Sequence, residues 1–274
     1  MTALSTEIPP SGAYEALAPF YDRFTAHHDY ELWVSGLLRI ARRHGFAGTR
    51  ALDAACGTGK SFLPLLQRGF EVTACDSSQP MLDVAADKVG GRVPLHRRDL
   101  RELESLGEFD LVTCLDDVAN YLTEPADLEA ALRGLRRNLR PGGMLVFDAN
   151  TIATYRGFFR ETSVVEEPGL LMVWRGLAEE SFDAGDLAAA ALDIFCERTE
   201  GCWCRTTSFH EQRHHPQPVV RECIEAAGLT LVAVYGQDPA VNFETEVDES
   251  RHSKAIYLAT TRDNPQPPSR GLTP

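Results

Sequence analysis

Leu52-Asp53-Ala54-Ala55-Cys56-Gly57-Thr58-Gly59-Lys60-Ser61 ends like a phosphate-binding loop and begins like a cofactor loop. A nucleoside-triphosphate loop of the G-x-x-x-x-G-K-[ST] type needs its first glycine five residues before Gly59, because several backbone N–H groups must converge on the phosphates. That position is Ala54. The dinucleotide fingerprint G-x-G-x-x-G is no better served, since Gly57 and Gly59 supply two glycines and Phe62 stands where the third belongs.

Strand-like and helix-like segments alternate outward from this loop. Ala51–Ala54 is followed by a helix to about Gln67, Glu71–Cys75 by a helix Pro80–Lys88, then come Val93–Arg97, Phe109–Leu115 with a helix Asp127–Leu139, and Met144–Asp148. That alternation predicts right-handed βαβ crossovers and a parallel sheet. Upstream, Leu32, Trp33, Leu37, Leu38, Ile40 and Ala41 recur at helical spacing and stop at Gly45. Downstream, longer strand-like runs at Leu170–Ala178, Ala190–Thr199 and Trp203–Gln212 read as an inserted antiparallel meander. A helix from Val219 to Ala227, with Pro218 in its first turn and Gly228 past its end, leads to strands Thr230–Tyr235 and Ala255–Thr260.

Composition narrows the function. A formal charge of −13 opposes a polyanionic partner, so no nucleic acid is expected. No apolar run approaches the roughly 20 residues that cross a bilayer, so no membrane partner is expected either. MTALSTEIPPSGAYEAL carries no secretory signal, from which a cytoplasmic location is expected, with the seven cysteines as reduced thiols. Cys202 and Cys204 do not fit zinc-ligand spacing and read as buried thiols, so no metal is expected. Lys60 reads as a solvated first-turn lysine. The stretch 263–274, rich in proline and poor in apolar residues, is expected to be disordered and removable.

LDAACGTG, VTACDSSQPML, RRDLREL, FDLVTCLDDVANYL and LRPGGMLVFD occur in the order and approximate spacing of the class I S-adenosylmethionine-dependent methyltransferases, and the chain resembles their small-molecule, natural-product branch. The resemblance implies a doubly wound, seven-stranded, mostly parallel Rossmann-like sheet. It divides the chain into an N-terminal helical lid (1–48), a cofactor-binding core (49–150), an antiparallel insertion shaping the acceptor pocket (151–215), the returning part of the core (216–262) and the tail (263–274). The implied cofactor is S-adenosylmethionine. Gly57 and Gly59 would let the backbone pass close under it, and Asp53 would orient the turn. Asp76, ending its strand about 20 residues on, would accept the ribose hydroxyls. Asp99 and Leu100 would meet the adenine, with Met81 against the ring. Tyr14 and Tyr21 would reach over from YEALAPFYDRF, and Ser77 and Leu115 complete the set. Ala55 stands where the family more often has glycine.

The implied partner is a small-molecule acceptor, met by a monomer or homodimer. In CLDDVANYL, Asp117, Asn120 and Tyr121 match the family's C-x-F-D-S-x-N-Y-L, while Asp116 replaces an apolar residue and is either a substrate contact or solvated. Methyl transfer needs in-line positioning more than a base, although a protonated acceptor can require one, and histidine suits that role. His210 lies in an H-x-Q-R segment like the family's. Alternation places it on one strand face with Gln212 and His214, directed at the substrate. His210, Tyr21 and Asp117 are therefore the candidate catalytic residues, with Asp116, Asn120, Tyr121 and His214 as acceptor contacts. Two other readings stay open: an NAD-dependent oxidoreductase, which the missing third glycine opposes, and a noncatalytic cofactor-binding regulatory module.

Overall fold

A computed structural model describes residues 5–8, 12–199 and 201–261. The chain begins with β1 (Ser5–Ile8), α1 (Ala13–Leu17), a 3-10 turn, α2 (Tyr21–Phe24) and α3 (Tyr30–Arg43). It then alternates through β2 (Arg50–Ala54), α4 (Leu63–Gln67), β3 (Glu71–Asp76), α5 (Gln79–Val89), β4 (Leu95–Arg97), β5 (Phe109–Cys114), α6 (Val118–Tyr121), α7 (Pro125–Arg137) and β6 (Leu139–Asn150). The insertion is α8 (Ile152–Arg156), β7 (Thr162–Glu167), β8 (Leu170–Gly176), β9 (Leu187–Thr199) and β10 (Cys202–Arg213). Finally α9 (Gln217–Ala226), β11 (Leu229–Gln237), β12 (Phe243–Glu244) and β13 (Lys254–Thr261) return to the core.

The alternating segments build one sheet in the order β12-β11-β13-β6-β5-β2-β3-β4. Ala51 to Ala54 are buried on both faces of β2, as an interior parallel strand requires. β2, β3, β4, β5 and β6 run parallel, whereas β13 lies antiparallel between β6 and β11. One face is covered by α3, α4 and α5, the other by α7 and α9. The sheet has eight strands rather than seven because two-residue β12 adds to the edge through Gly236 and Gln237. So short a strand leaves no alternation to read.

Local chemistry sets the helix ends. Asp29 caps α3 by accepting from the Leu32 N–H at 2.9 Å, and Ser78 caps α5. Most of α3 packs into the core beside the sheet. The structure also adds β1, which pairs in parallel with β10 and makes the expected helical segment partly strand. β7, exposed along nearly its whole length, is likewise absent from the sequence reading. The tail 263–274 lies outside the described residues.

The insertion forms a second sheet ordered β1-β10-β9-β8-β7. Its inner face buries Met172, Trp174, Leu192 and Ile194 with Tyr155 and Phe159, and Tyr14, Phe20, Tyr21 and Phe24 of the lid pack against the same cluster. Lid and insertion thus share a core. Cys202 is exposed and Cys204 only partly buried, contrary to the expectation of two buried thiols, because a register shift next to Cys202 lies at the open end of the sheet.

At the joint between α8 and β8, a methyl on Gly176 would stand 2.0 Å from the Phe159 carbonyl carbon, and backbone cannot swing aside. Gly176→Ala is expected to lower unfolding free energy by about 3 kcal/mol in urea titration, the upper end of typical overpacking costs. A loss below about 0.5 kcal/mol would mean that this joint is not tightly packed.

Candidate active site

β2 ends where the strand order turns, with β3 on one side and β5 on the other, and at this point doubly wound sheets bind ligands. The following loop needs left-handed backbone at Ala55 (φ 56°), Gly57 (φ 53°) and Gly59 (φ 87°). The angle at Ala55 gives a physical reason for a glycine preference there. A methyl on Gly57 would meet nothing within 4 Å, whereas one on Gly59 would meet the Phe62 ring at 2.5 Å. Gly59 thus leaves room for the fully buried ring of Phe62. The same Phe62 fills the place of the third dinucleotide glycine.

A cavity of 730 Å³ opens above the C-terminal ends of these strands. Of the expected cofactor residues, Tyr14, Tyr21, Ala55, Gly57, Asp76, Ser77, Met81, Asp99, Leu100 and Leu115 border it. Asp53 does not. It lies beneath the loop, accepting from Ser61 Oγ at 2.5 Å and Thr113 Oγ1 at 2.6 Å, and burial pushes its carboxyl up to about 6 despite those hydroxyls. Asp76 accepts from the Gly57 and Ser78 N–H groups, each at 2.8 Å, so it braces both loops that frame the cavity. Asp99 pairs with Arg101 at 2.5 Å, and that bond holds its carboxyl below the usual range.

The lid is tied to the loop by polar contacts. Asp22 accepts from Thr58 Oγ1 at 2.6 Å and pairs with Lys88 at 2.5 Å. Lys60 donates to the Thr25 carbonyl and hydroxyl, both at 2.8 Å, and lies over the Tyr30 ring. It is not the solvated lysine expected from sequence.

Under the acceptor side lies a charge cluster that no motif announced. Because β13 runs antiparallel to β6, its first residue, Lys254, lands at the C-terminal end of β6 beside the cavity. Its ammonium is 2.7 Å from Asp148, 3.4 Å from Asp117 and 3.6 Å from Asp116. Asp148 also accepts the Asp116 N–H at 2.7 Å and the Asp117 N–H at 2.9 Å. That grip holds two consecutive left-handed residues, with φ of 73° and 56°. Asp116 in turn accepts from Tyr30 at 2.6 Å and Tyr21 at 2.9 Å. Burial works to raise its carboxyl, but Lys254, His28 and the two phenols outweigh it and hold it below the usual value.

The remaining acceptor candidates divide. Asp116 and Tyr121 border the cavity, and so does Glu211, on the strand face opposite His210. Asp117, Asn120, His210 and His214 do not border it, and each is held by other groups of the protein. Asp117 is bonded by Asn150 and Gln212, and burial pushes it up to about 6. Asn120 bridges the Arg213 carbonyl and the Asn150 N–H. His214 accepts from the Gly185 N–H and donates to Glu249, joining insertion to core. His210, 2% exposed, is packed against Tyr14 and Trp174, with Nδ1 3.0 Å from the Tyr121 hydroxyl. Its alternation with Gln212 and His214 holds, but that face points into the junction rather than at the cavity. Burial lowers its pKa to about 4. Among the described residues no group of His, Cys, Asp or Glu is placed to hold a metal, and no helix is long and apolar enough to cross a membrane.

Residues 51–143, spanning the loop, Asp76, Asp99 and the Asp116–Asp117 corner, match the family model of a methyltransferase domain. These residues of the chain therefore match a methyltransferase domain. YqeM of Bacillus subtilis (strain 168), which carries a methyltransferase name, is 28% identical over 252 residues, covering 89% of this chain and 98% of that one. In fold, the chain resembles an S-adenosylmethionine-dependent methyltransferase from Clostridium acetobutylicum ATCC 824, with a TM-score of 0.74, 22% identity, and 90% and 98% of the two chains covered. It also resembles the sugar N-methyltransferase KedS8 from Streptoalloteichus sp ATCC 53650, with a TM-score of 0.70, 22% identity, and 88% and 92% covered.

Removing a buried cation leaves its carboxylates uncompensated, so Lys254→Met is expected to destabilise the protein by about 3–5 kcal/mol in urea titration. An unchanged midpoint would show that the cluster is not held by charge. His210 gives a pH dependence. Its folded pKa of about 4 lies below the usual value near 6.5, so in that interval the unfolded chain takes up a proton that the folded chain refuses. Its contribution is present above about pH 6.5 and is lost as pH falls toward 4, amounting to about 3 kcal/mol. His210→Gln should remove that part of the acid sensitivity; identical pH–stability curves for both proteins would contradict the buried neutral imidazole.

Proposed function

We propose that this protein is a methyltransferase that moves a methyl group from S-adenosylmethionine to a nucleophilic atom of a small molecule, and that the acceptor is a natural-product metabolite. The carrying observation is the 730 Å³ cavity, bordered on one side by Gly57, Asp76 and Met81 and on the other by Tyr14, Tyr21, Asp116 and Tyr121. The fit to the donor rests on the Gly57 backbone, where a Cβ would point into open space. Asp76, Met81, Asp99 and Leu100 would hold its nucleoside part. When bound, the donor supplies an electrophilic methyl on a positively charged sulfur that leaves neutral.

The chain's own work is positioning and exclusion of water. The lid, clamped through Asp22 and Lys60, covers the cavity. Tyr121 presents its hydroxyl toward the acceptor, and His210 fixes that hydroxyl from behind. With an imidazole neutral above about pH 4, the pair serves as a positioning device rather than a proton store at neutral pH. The sugar N-methyltransferase among the similar folds is consistent with a small acceptor.

Calorimetry with S-adenosylhomocysteine and a screen of metabolites with labelled donor test this reading. Asp76→Ala is expected to weaken S-adenosylhomocysteine binding by about 1.5–3 kcal/mol, through loss of bonds to a charged group that braces both loops. Unchanged affinity would contradict the placement of the donor.

A further inference from the structure

Asp116 is held ionised on the cavity wall. Its Oδ2 atom takes both phenol hydrogen bonds, whereas Oδ1 accepts none among the described residues. The nearest cation to Oδ1 is Lys254 at 3.6 Å, and that ammonium is committed to Asp148 at 2.7 Å. The Asp116 side chain keeps 23% of its surface accessible. Lys60, which does border the cavity, is turned to Thr25. Around this free carboxylate oxygen the wall is aromatic, with Tyr14, Tyr21, Tyr30 and Tyr121 all bordering the space. A carboxylate with an open lone pair beside tyrosine rings matches a compact cation, through charge-assisted hydrogen bonding and attraction to the ring faces.

We propose that Asp116 is the specificity-determining residue of the acceptor subsite and that the acceptor it selects is a protonated aliphatic amine. This rests on the methyl-donor reading above. The ammonium docks against Asp116 and gives up one proton to solvent through that carboxylate, freeing its lone pair. As the N–C bond forms, the C–S bond breaks, the sulfur keeps the electron pair and becomes neutral, and the positive charge arrives on the nitrogen. Asp116 faces that charge before and after transfer. A hydroxyl acceptor brings no charge to the subsite and leaves the carboxylate unmatched.

The other cation that Asp116 could serve is the donor's own sulfonium, and the experiment separates the two. Calorimetry compares S-adenosylmethionine with S-adenosylhomocysteine, which differ by the charged methyl, on wild type and Asp116→Asn; asparagine tolerates the left-handed backbone there. Ligand-observed NMR then compares cyclohexylamine with cyclohexanol on the S-adenosylhomocysteine complex. The expected result is donor and product affinities within twofold between the two proteins, with an amine preference of about tenfold or more in wild type that Asp116→Asn abolishes. Equal binding of amine and alcohol by wild type overturns the proposal without any variant. So does a tenfold loss of S-adenosylmethionine affinity in Asp116→Asn with S-adenosylhomocysteine unaffected, which assigns the carboxylate to the donor. If wild type binds neither nucleoside, the methyl-donor reading fails instead, and the amine preference is read on the free protein with the same two outcomes.

Discussion

Lys254 is the interaction on which the Asp116 side of the cavity depends. A lysine ammonium this deeply placed is sustained only by opposite charge at close range, and Asp148, Asp117 and Asp116 supply it. The carboxylates need the lysine as much as it needs them, since three negative charges in one buried corner would otherwise repel one another without compensation. Asp148 converts this charge balance into backbone shape by gripping the Asp116 and Asp117 N–H groups in their left-handed conformations. Topology makes the meeting possible, because the reversed β13 delivers Lys254 to the functional end of the sheet.

From this corner the constraint spreads in two directions. Asp116 carries it to the N-terminal helices through Tyr21 and Tyr30, so these helices are fastened by hydrogen bonds to an ionised group rather than by apolar packing alone. Asp117 carries it to the insertion through Gln212 and Asn150. Tyr155 adds its hydroxyl to Gln212, and Trp174 packs against His210. The cavity is therefore bounded by elements that answer to one electrostatic centre. At its other end the donor side is framed separately, by Asp76 and the backbone of the Gly57 loop.

Much of this was legible beforehand where the signal is local. The βαβ alternation, the loop of Gly57 and the acidic end of β3 each lie within one short stretch, and the structure places them as the sequence suggests. What could not be read is which polar groups are already spoken for. Asp117, Asn120 and His214 are of functional residue types, yet each is consumed by partners 29 to 95 residues away. Asp148 was visible at the end of LRPGGMLVFD, but its partner Lys254 is a lone lysine 106 residues distant, with no spacing to connect them. Strand alternation correctly grouped His210 with Gln212 and His214, while the direction of that face depended on where the second sheet docks. The buried lysines and carboxylates form tertiary pairs, and only a fold brings such pairs together.

Hydrogen–deuterium exchange on wild type and Lys254→Gln tests the central claim most directly, because it reads local opening at each segment. If the charge centre holds floor and lid together, amides of residues 14–30 and 115–121 lose protection in parallel in the variant, while β8 and β9 of the insertion keep theirs. Unchanged protection of the lid, with faster exchange confined to the start of β13, would contradict that coupling.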